Sequence, residues 1–89
     1  MKKFAFIGAG SFTFTRELVR DILTFPAFED ATIALMDIDS ERLEYITRAV
    51  NKIIKAMNKP AKVISTTSRP EALEGADGVL CTVFNGGID

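Results

Sequence analysis

Four short apolar runs, KFAFI at Lys3–Ile7, ATIALMD at 31–37, KVIST at Lys62–Thr66 and GVLCTVF at 78–84, alternate in this chain with segments of helical period. No other feature restricts the fold as strongly. Runs of this length, rich in Phe, Ile and Val and lacking strict polar alternation, are expected of strands buried on both faces of a parallel sheet. Strands separated by helices cannot be hairpin partners, so each connection is a crossover, and crossovers in one sheet are right-handed.

The intervening segments supply the helices. Phe14, Leu18, Ile22 and Phe25 recur at spacings of four, four and three, which predicts the buried face of a first helix that Pro26 ends. Leu43, Ile46, Val50, Ile53, Ile54 and Met57 form a clearer stripe on a second helix, with Glu41, Arg42, Glu44, Arg48 and Lys52 on the remaining surface. Asp39 or Ser40 is the expected cap of that helix, and the Asn58-Lys59-Pro60 string its stop. Ser68 and Glu71, around Pro70, have capping-box spacing for a helix of one or two turns that Gly75 closes. Strand, helix, strand, helix, strand, short helix and strand together define an α/β chain. The expected architecture is a Rossmann-like parallel sheet, half of a doubly wound fold, with strand order 3-2-1-4.

At 89 residues the chain is one small domain that buries about 60 to 65 % of its unfolded surface. Its apolar share of 47 % and charged share of 26 % are those of an ordinary globular sequence. With 11 basic and 12 acidic residues interspersed, charge gives no reason to expect nucleic acid or an anionic membrane surface as partner. A small molecule fits better. The lone cysteine, Cys81, cannot form an internal disulfide, and a cytoplasmic location is the default expectation. Met1-Lys2-Lys3 before FAFIGAG imitates a secretory leader, but its apolar part is short, holds two glycines and runs into Arg16 and Glu17. No apolar stretch approaches the roughly 20 residues that span a bilayer.

The turn after the first strand reads GAGSFT, with Gly8, Gly10 and Ser11 ahead of the helix. A strand-to-helix turn at the carboxyl end of a parallel strand directs unpaired amides outward, where the helix dipole also favours negative charge. Gly8 allows a tight turn, and Gly10 lets the backbone approach a pyrophosphate closely. Ser11 can serve as a phosphate ligand or as a plain N-cap. Thr13 stands where the third glycine of G-x-G-x-x-G would fall, so the pattern is incomplete. Its context strengthens it: Asp37, at the tip of the second strand, can accept hydrogen bonds from both hydroxyls of an adenosine ribose and would repel a 2′-phosphate. NAD is therefore expected over NADP. The simpler readings are a tight turn at Gly8 and Gly10 and a capping or solvated Asp37, although Asp39 is the better cap.

Thr82 and Asn85, in the TVFNGGID string, would face the nicotinamide half of a dinucleotide across the switch point, or form an ordinary loop. Cys81, inside an apolar strand, is expected as a buried structural thiol. Arg16 and Arg20 are most simply a solvated helix face, from which one can reach an anion near the turn. The sequence contains no histidine, which rules out a Ser-His-Asp triad, a Cys-His pair and His-based metal sites within these residues.

FIGAGSFTFTRELVRDIL, ATIALMDIDSERLEY and GADGVLCTVFNGGID, in this order, resemble the amino-terminal dinucleotide-binding segment of the family 4 glycoside hydrolases, in their α-glucosidase, α-galactosidase and α-galacturonidase branch. The resemblance covers nearly the whole chain, and LMDID together with the later GG makes it more specific than the glycine turn alone. It implies NAD and a divalent metal, commonly manganese, used to oxidise a sugar at C3, eliminate the group at C1, add water and return the hydride. It also implies that Gly8, Gly10, Ser11 and the Phe12 amide form the pyrophosphate turn, that Asp37 is the ribose carboxylate and that residues 85–87 form the loop beside the nicotinamide. The family's metal ligands and proton-abstracting groups match nothing here, and Cys81 does not correspond to its metal-binding cysteine. Lactate and malate dehydrogenases look similar through the same strands and the EALEGAD helix, so a hydroxy-acid dehydrogenase segment is the alternative enzyme.

Residues 1–89 are thus expected to be the amino-terminal part of a dinucleotide-binding domain whose catalytic and metal-binding remainder is absent, from a truncated product or an excised segment. The contrasting expectation is a small nucleotide-binding or self-associating module without catalysis. A homo-oligomer is expected, because an apolar run such as VLCTVF at an open sheet edge invites association.

Overall fold

The computed structural model of the chain describes residues 2–8 and 12–81. Four strands and three α-helices follow in the expected order: β1 Lys3–Ile7, α1 Phe12–Thr24, β2 Thr32–Met36, α2 Ser40–Met57, β3 Lys62–Thr66, α3 Arg69–Leu73 and β4 Gly78–Cys81. A single 3-10 turn, Pro26–Phe28, joins α1 to β2; proline at its start supplies a preset φ. The strands form one sheet in the order β3-β2-β1-β4, and all three pairings are parallel. This is the Rossmann-like α/β arrangement that the sequence predicts.

Strand register follows from which side chains must share a face. Phe6 lies beside Leu35 and Leu80, and Phe4 beside Ile33. These residues point to one side of the pleat, where α1 and α2 cover them. Phe6, Ile33 and Leu35 are fully buried there against Val19, Leu23, Ile46 and Val50. Burial of each such side chain stabilises the fold by about 1.5–3 kcal/mol. The opposite pleat presents Ala5 beside Ala34, and α3, through its buried Ala72, packs over that side. Lys3 reaches back from β1 so that its Nζ donates to the carbonyls of Glu71 and Glu74 near the end of α3. Its backbone N–H donates to the Asp77 carboxylate at 2.8 Å.

Helix ends obey the local chemistry. The Asp39 side chain accepts from the Glu41 and Arg42 amides and caps α2, while Asn58 closes it in the left-handed conformation at φ 56. Ser68 Oγ accepts from the Glu71 amide at 3.4 Å and so caps α3. Gly78 answers a steric need in the sheet: a Cβ there would stand 2.9 Å from the Phe4 ring, which packs edge-on against Phe28.

The face expected for α1 requires correction. Thr15, Val19 and Leu23 are its fully buried residues, Leu18 and Ile22 lie at the margin, and Phe14 and Phe25 are 44 % and 57 % exposed. The buried stripe is rotated by one residue from the one that the aromatic positions indicate. The helix therefore turns the Thr15, Val19 and Leu23 edge inward and keeps the Phe14 ring at its rim.

Candidate functional site at the carboxyl edge of the sheet

Parallel strands all end at the same edge of the sheet, and the helices that follow begin there. At that edge Gly8 has φ +78, a left-handed conformation that glycine adopts without the strain of a side chain. Its N–H donates to the Met36 carbonyl at 2.9 Å, continuing the β1–β2 ladder past Ile7. The turn leaving β1 is thereby tied to the last residue of β2, immediately before Asp37. Helix α1 opens at Phe12, and amides in its first turn have no carbonyl partner within the helix.

Asp37 is only 7 % exposed, and its Oδ1 accepts the Asp39 N–H at 2.9 Å. That bond fixes the carboxylate at the strand end and leaves capping of α2 to Asp39, whose Oδ1 accepts from Glu41 and Arg42 at 3.0 and 3.2 Å. The Arg42 Nε stands 4.0 Å from Asp39 Oδ2 in an exposed pair, which contributes little in water. Between the two aspartates Ile38 is 86 % exposed, an apolar side chain presented at the lip of the edge.

Of the residues expected at the site, the structure bonds Gly8 to Met36, the residue before Asp37, and starts α1 at Phe12. Gly10, Ser11, Thr82 and Asn85 lie outside the described residues. Arg16 lines a groove along α2. Ile38, at the lip of the edge, does not emerge from the sequence as a site residue. It is an isolated apolar residue in a D-I-D string, which carries no period.

Backbone amides at a helix start, joined to an anchored carboxylate, can bind an anion and a vicinal diol at neighbouring positions. Among the described residues no group of three or more Cys, Asp or Glu side chains is arranged to hold a metal ion. Among the same residues no helix is long and apolar enough to cross a membrane.

A parallel sheet of order 3-2-1-4, with a left-handed glycine closing its first strand and an aspartate closing its second, makes this a Rossmann-like protein. Residues 3–89 match the family described as Family 4 glycosyl hydrolase, and the chain belongs to that family. It is 40 % identical over 87 residues to an alpha-galactosidase of Rhizobium meliloti (strain 1021), an alignment covering 98 % of this chain and 18 % of that protein. It is 33 % identical over 87 residues to an alpha-galactosidase of Bacillus subtilis (strain 168), covering 98 % and 20 % respectively. The chain therefore spans about a fifth of the length of these curated relatives. These matches favour the glycosidase over the hydroxy-acid dehydrogenase.

Proposed function

We propose that this segment is the adenosine and diphosphate half of an NAD site in a glycosidase acting on α-galactosides. The observation that carries the reading is the Gly8 N–H to Met36 carbonyl bond, which holds the glycine turn against the strand that ends in Asp37. In this reading the turn from Gly8 to Phe12, with Gly10 and Ser11, surrounds the diphosphate with amides, and the dipole of α1 favours its charge. Asp37, steadied by the Asp39 amide, accepts from the ribose hydroxyls. The same carboxylate would repel a 2′-phosphate, so NADP is disfavoured. Ile38 offers apolar surface to the flat adenine base, and Thr82 and Asn85 are assigned to the nicotinamide side.

When bound, NAD supplies a reversible hydride acceptor for carbon 3 of the sugar, which makes the neighbouring proton acidic enough for elimination. The contribution of these residues is positional: they fix one half of the cofactor on a rigid strand end and a helix start. The family relation implies a divalent metal, manganese in the commonest case, and residues beyond this segment would hold it and move the substrate's protons. The relatives' names point to a galactoside as substrate.

Calorimetric titration with NAD and with NADP tests this proposal, once circular dichroism has shown folded chain. NAD alone should bind, and Asp37→Ala should weaken it about tenfold or more, the loss of a charge-assisted hydrogen bond of about 1.5–3 kcal/mol. Equal affinity for the two nucleotides, or an unchanged affinity in Asp37→Ala, would remove the ribose role of Asp37.

A further inference from the structure

Asp77 and Gly78 stand where β4 begins, at the amino edge of the sheet and away from the strand ends that bear the candidate site. They are the only Asp-Gly pair in the sequence, and Asp77 is exposed to water. Glycine, with no Cβ, is the residue whose amide nitrogen most readily closes on a preceding aspartate side chain. A free Asp-Gly pair therefore converts spontaneously to isoaspartate through a cyclic imide. The packing of the sheet opposes removal of either partner. A Cβ at position 78 would stand 2.9 Å from the Phe4 ring, and the Asp77 carboxylate is the acceptor of the Lys3 N–H. The same contacts also restrain the pair. Asp77 Oδ2 accepts the Lys3 N–H at 2.8 Å, and the Asp77 N–H donates to the Lys3 carbonyl at 2.7 Å. From the same residue, Lys3 Nζ donates to the carbonyls of Glu71 and Glu74. Lys3 thus clasps the connection between α3 and β4 to β1.

We propose that Asp77 is a site of isoaspartate formation, kept closed by the Lys3 clasp and opened when β4 lifts from β1. In the reaction the Gly78 nitrogen bonds to Asp77 Cγ, and one carboxyl oxygen leaves as water, taking the amide proton and one proton from solvent. Water then opens the imide at Cγ, which restores aspartate, or at the main-chain carbonyl carbon, which leaves isoaspartate. Nothing is oxidised or reduced, and water is the only co-reactant. Cyclisation carries Cγ onto the Gly78 nitrogen and removes an oxygen from the carboxylate, so it competes directly with the hold that Lys3 has on Asp77. The clasp needs only a local opening to release it, which takes less free energy than global unfolding. Isoaspartate places an extra carbon in the main chain directly before Gly78, so the Lys3 bonds and the pairing of Gly78 with Phe4 can no longer be kept together. Each event loosens β4, and the clasp sets how long a chain stays intact. The proposal is independent of the NAD reading, because Asp77 lies at the opposite edge of the sheet from Asp37.

Ageing of the full chain in buffer provides the test, with peptide mapping and electron-transfer fragmentation to separate isoaspartate from aspartate at Asp77. Mapping also keeps this site apart from the Asn85-Gly86 pair. A synthetic peptide of sequence EGADGVL gives the unrestrained rate. The folded chain should form isoaspartate at least about tenfold more slowly than the peptide, the protection expected of one charge-assisted and one neutral hydrogen bond. Chain unfolded in urea should match the peptide. Lys3→Met, which keeps the side-chain stem and removes its Nζ donors, should react about threefold or more faster than wild type while circular dichroism shows an intact fold. In urea below the unfolding transition, the wild-type rate should rise before the helix signal falls, a readout that stands even if Lys3→Met does not fold. A folded wild-type chain that reacts as fast as the peptide, or an unfolded chain that forms no isoaspartate at Asp77, would overturn the proposal. So would a rate that rises only in step with the unfolded fraction, or a folded Lys3→Met chain that reacts as slowly as wild type.

Discussion

The face of the sheet beneath α1 and α2 buries Phe6, Ile33 and Leu35 completely, whereas the face beneath α3 has Ala5 and Ala34 at its centre and leaves Ile64 and Val79 exposed beside them. The difference follows from the lengths of the covering helices. Helices of 13 and 18 residues present enough apolar surface to rest on large side chains. A helix of five residues does not, and α3 covers the sheet by lying close, with Ala72 over an alanine floor. One face is thus held by volume and the other by proximity, and substitutions of opposite kinds should damage them.

Removing volume should be most harmful on the first face. Phe6→Ala is expected to destabilise the chain by about 3–5 kcal/mol, enough to unfold most of it, as read by urea denaturation followed by circular dichroism. Adding volume should be harmful on the second: Ala34→Leu has to displace α3 and should cost about 1–3 kcal/mol in the same measurement. If Ala34→Leu were neutral, α3 would rest loosely and the contrast between the faces would fail. Asp39→Ala removes the cap of the long helix and should cost about 1 kcal/mol, with a matching loss in thermal midpoint. The smallest effect is expected from Ile64→Thr at the exposed margin, within about 0.5 kcal/mol. A loss as large as that of Phe6→Ala would show that this margin is covered in solution.

The legibility of the sequence differs in the same way between helices. In α2, Leu43, Ile46, Val50, Ile53 and Ile54 are the buried residues, and they are the stripe that periodicity picks out, because that helix packs along its length on large side chains. For α1 the same reasoning selects Phe14, Leu18, Ile22 and Phe25, yet the fully buried residues are Thr15, Val19 and Leu23, with Leu18 and Ile22 only partly buried. Hydrophobicity ranks phenylalanine above threonine, but a one-residue rotation of the helix decides which of two neighbouring positions is buried. Strand order was legible from the alternation of strands and helices, which matches the doubly wound pattern. At the carboxyl edge of the sheet, the tight turn at Gly8 and the strand end at Asp37 were legible, because glycine marks a left-handed turn and the apolar run of β2 stops at the aspartate. Ile38 was not, since a single apolar residue among acids carries no period.

β1 is the strand on which the sheet depends, and it is completed on one side only by β4, with the Lys3 N–H bonded to Asp77 across 74 residues of chain. On a ribosome adding about 5–20 residues per second, that span takes roughly 4 to 15 s to emerge. Once β2 has emerged β1 can pair with it, yet its other flank stays open until β4 follows, a hydrogen-bonding row bordered by Phe4 and Phe6. The newborn chain is therefore most vulnerable to strand-to-strand capture by a neighbour during a window set by translation speed, and slower decoding of its second half would lengthen that window.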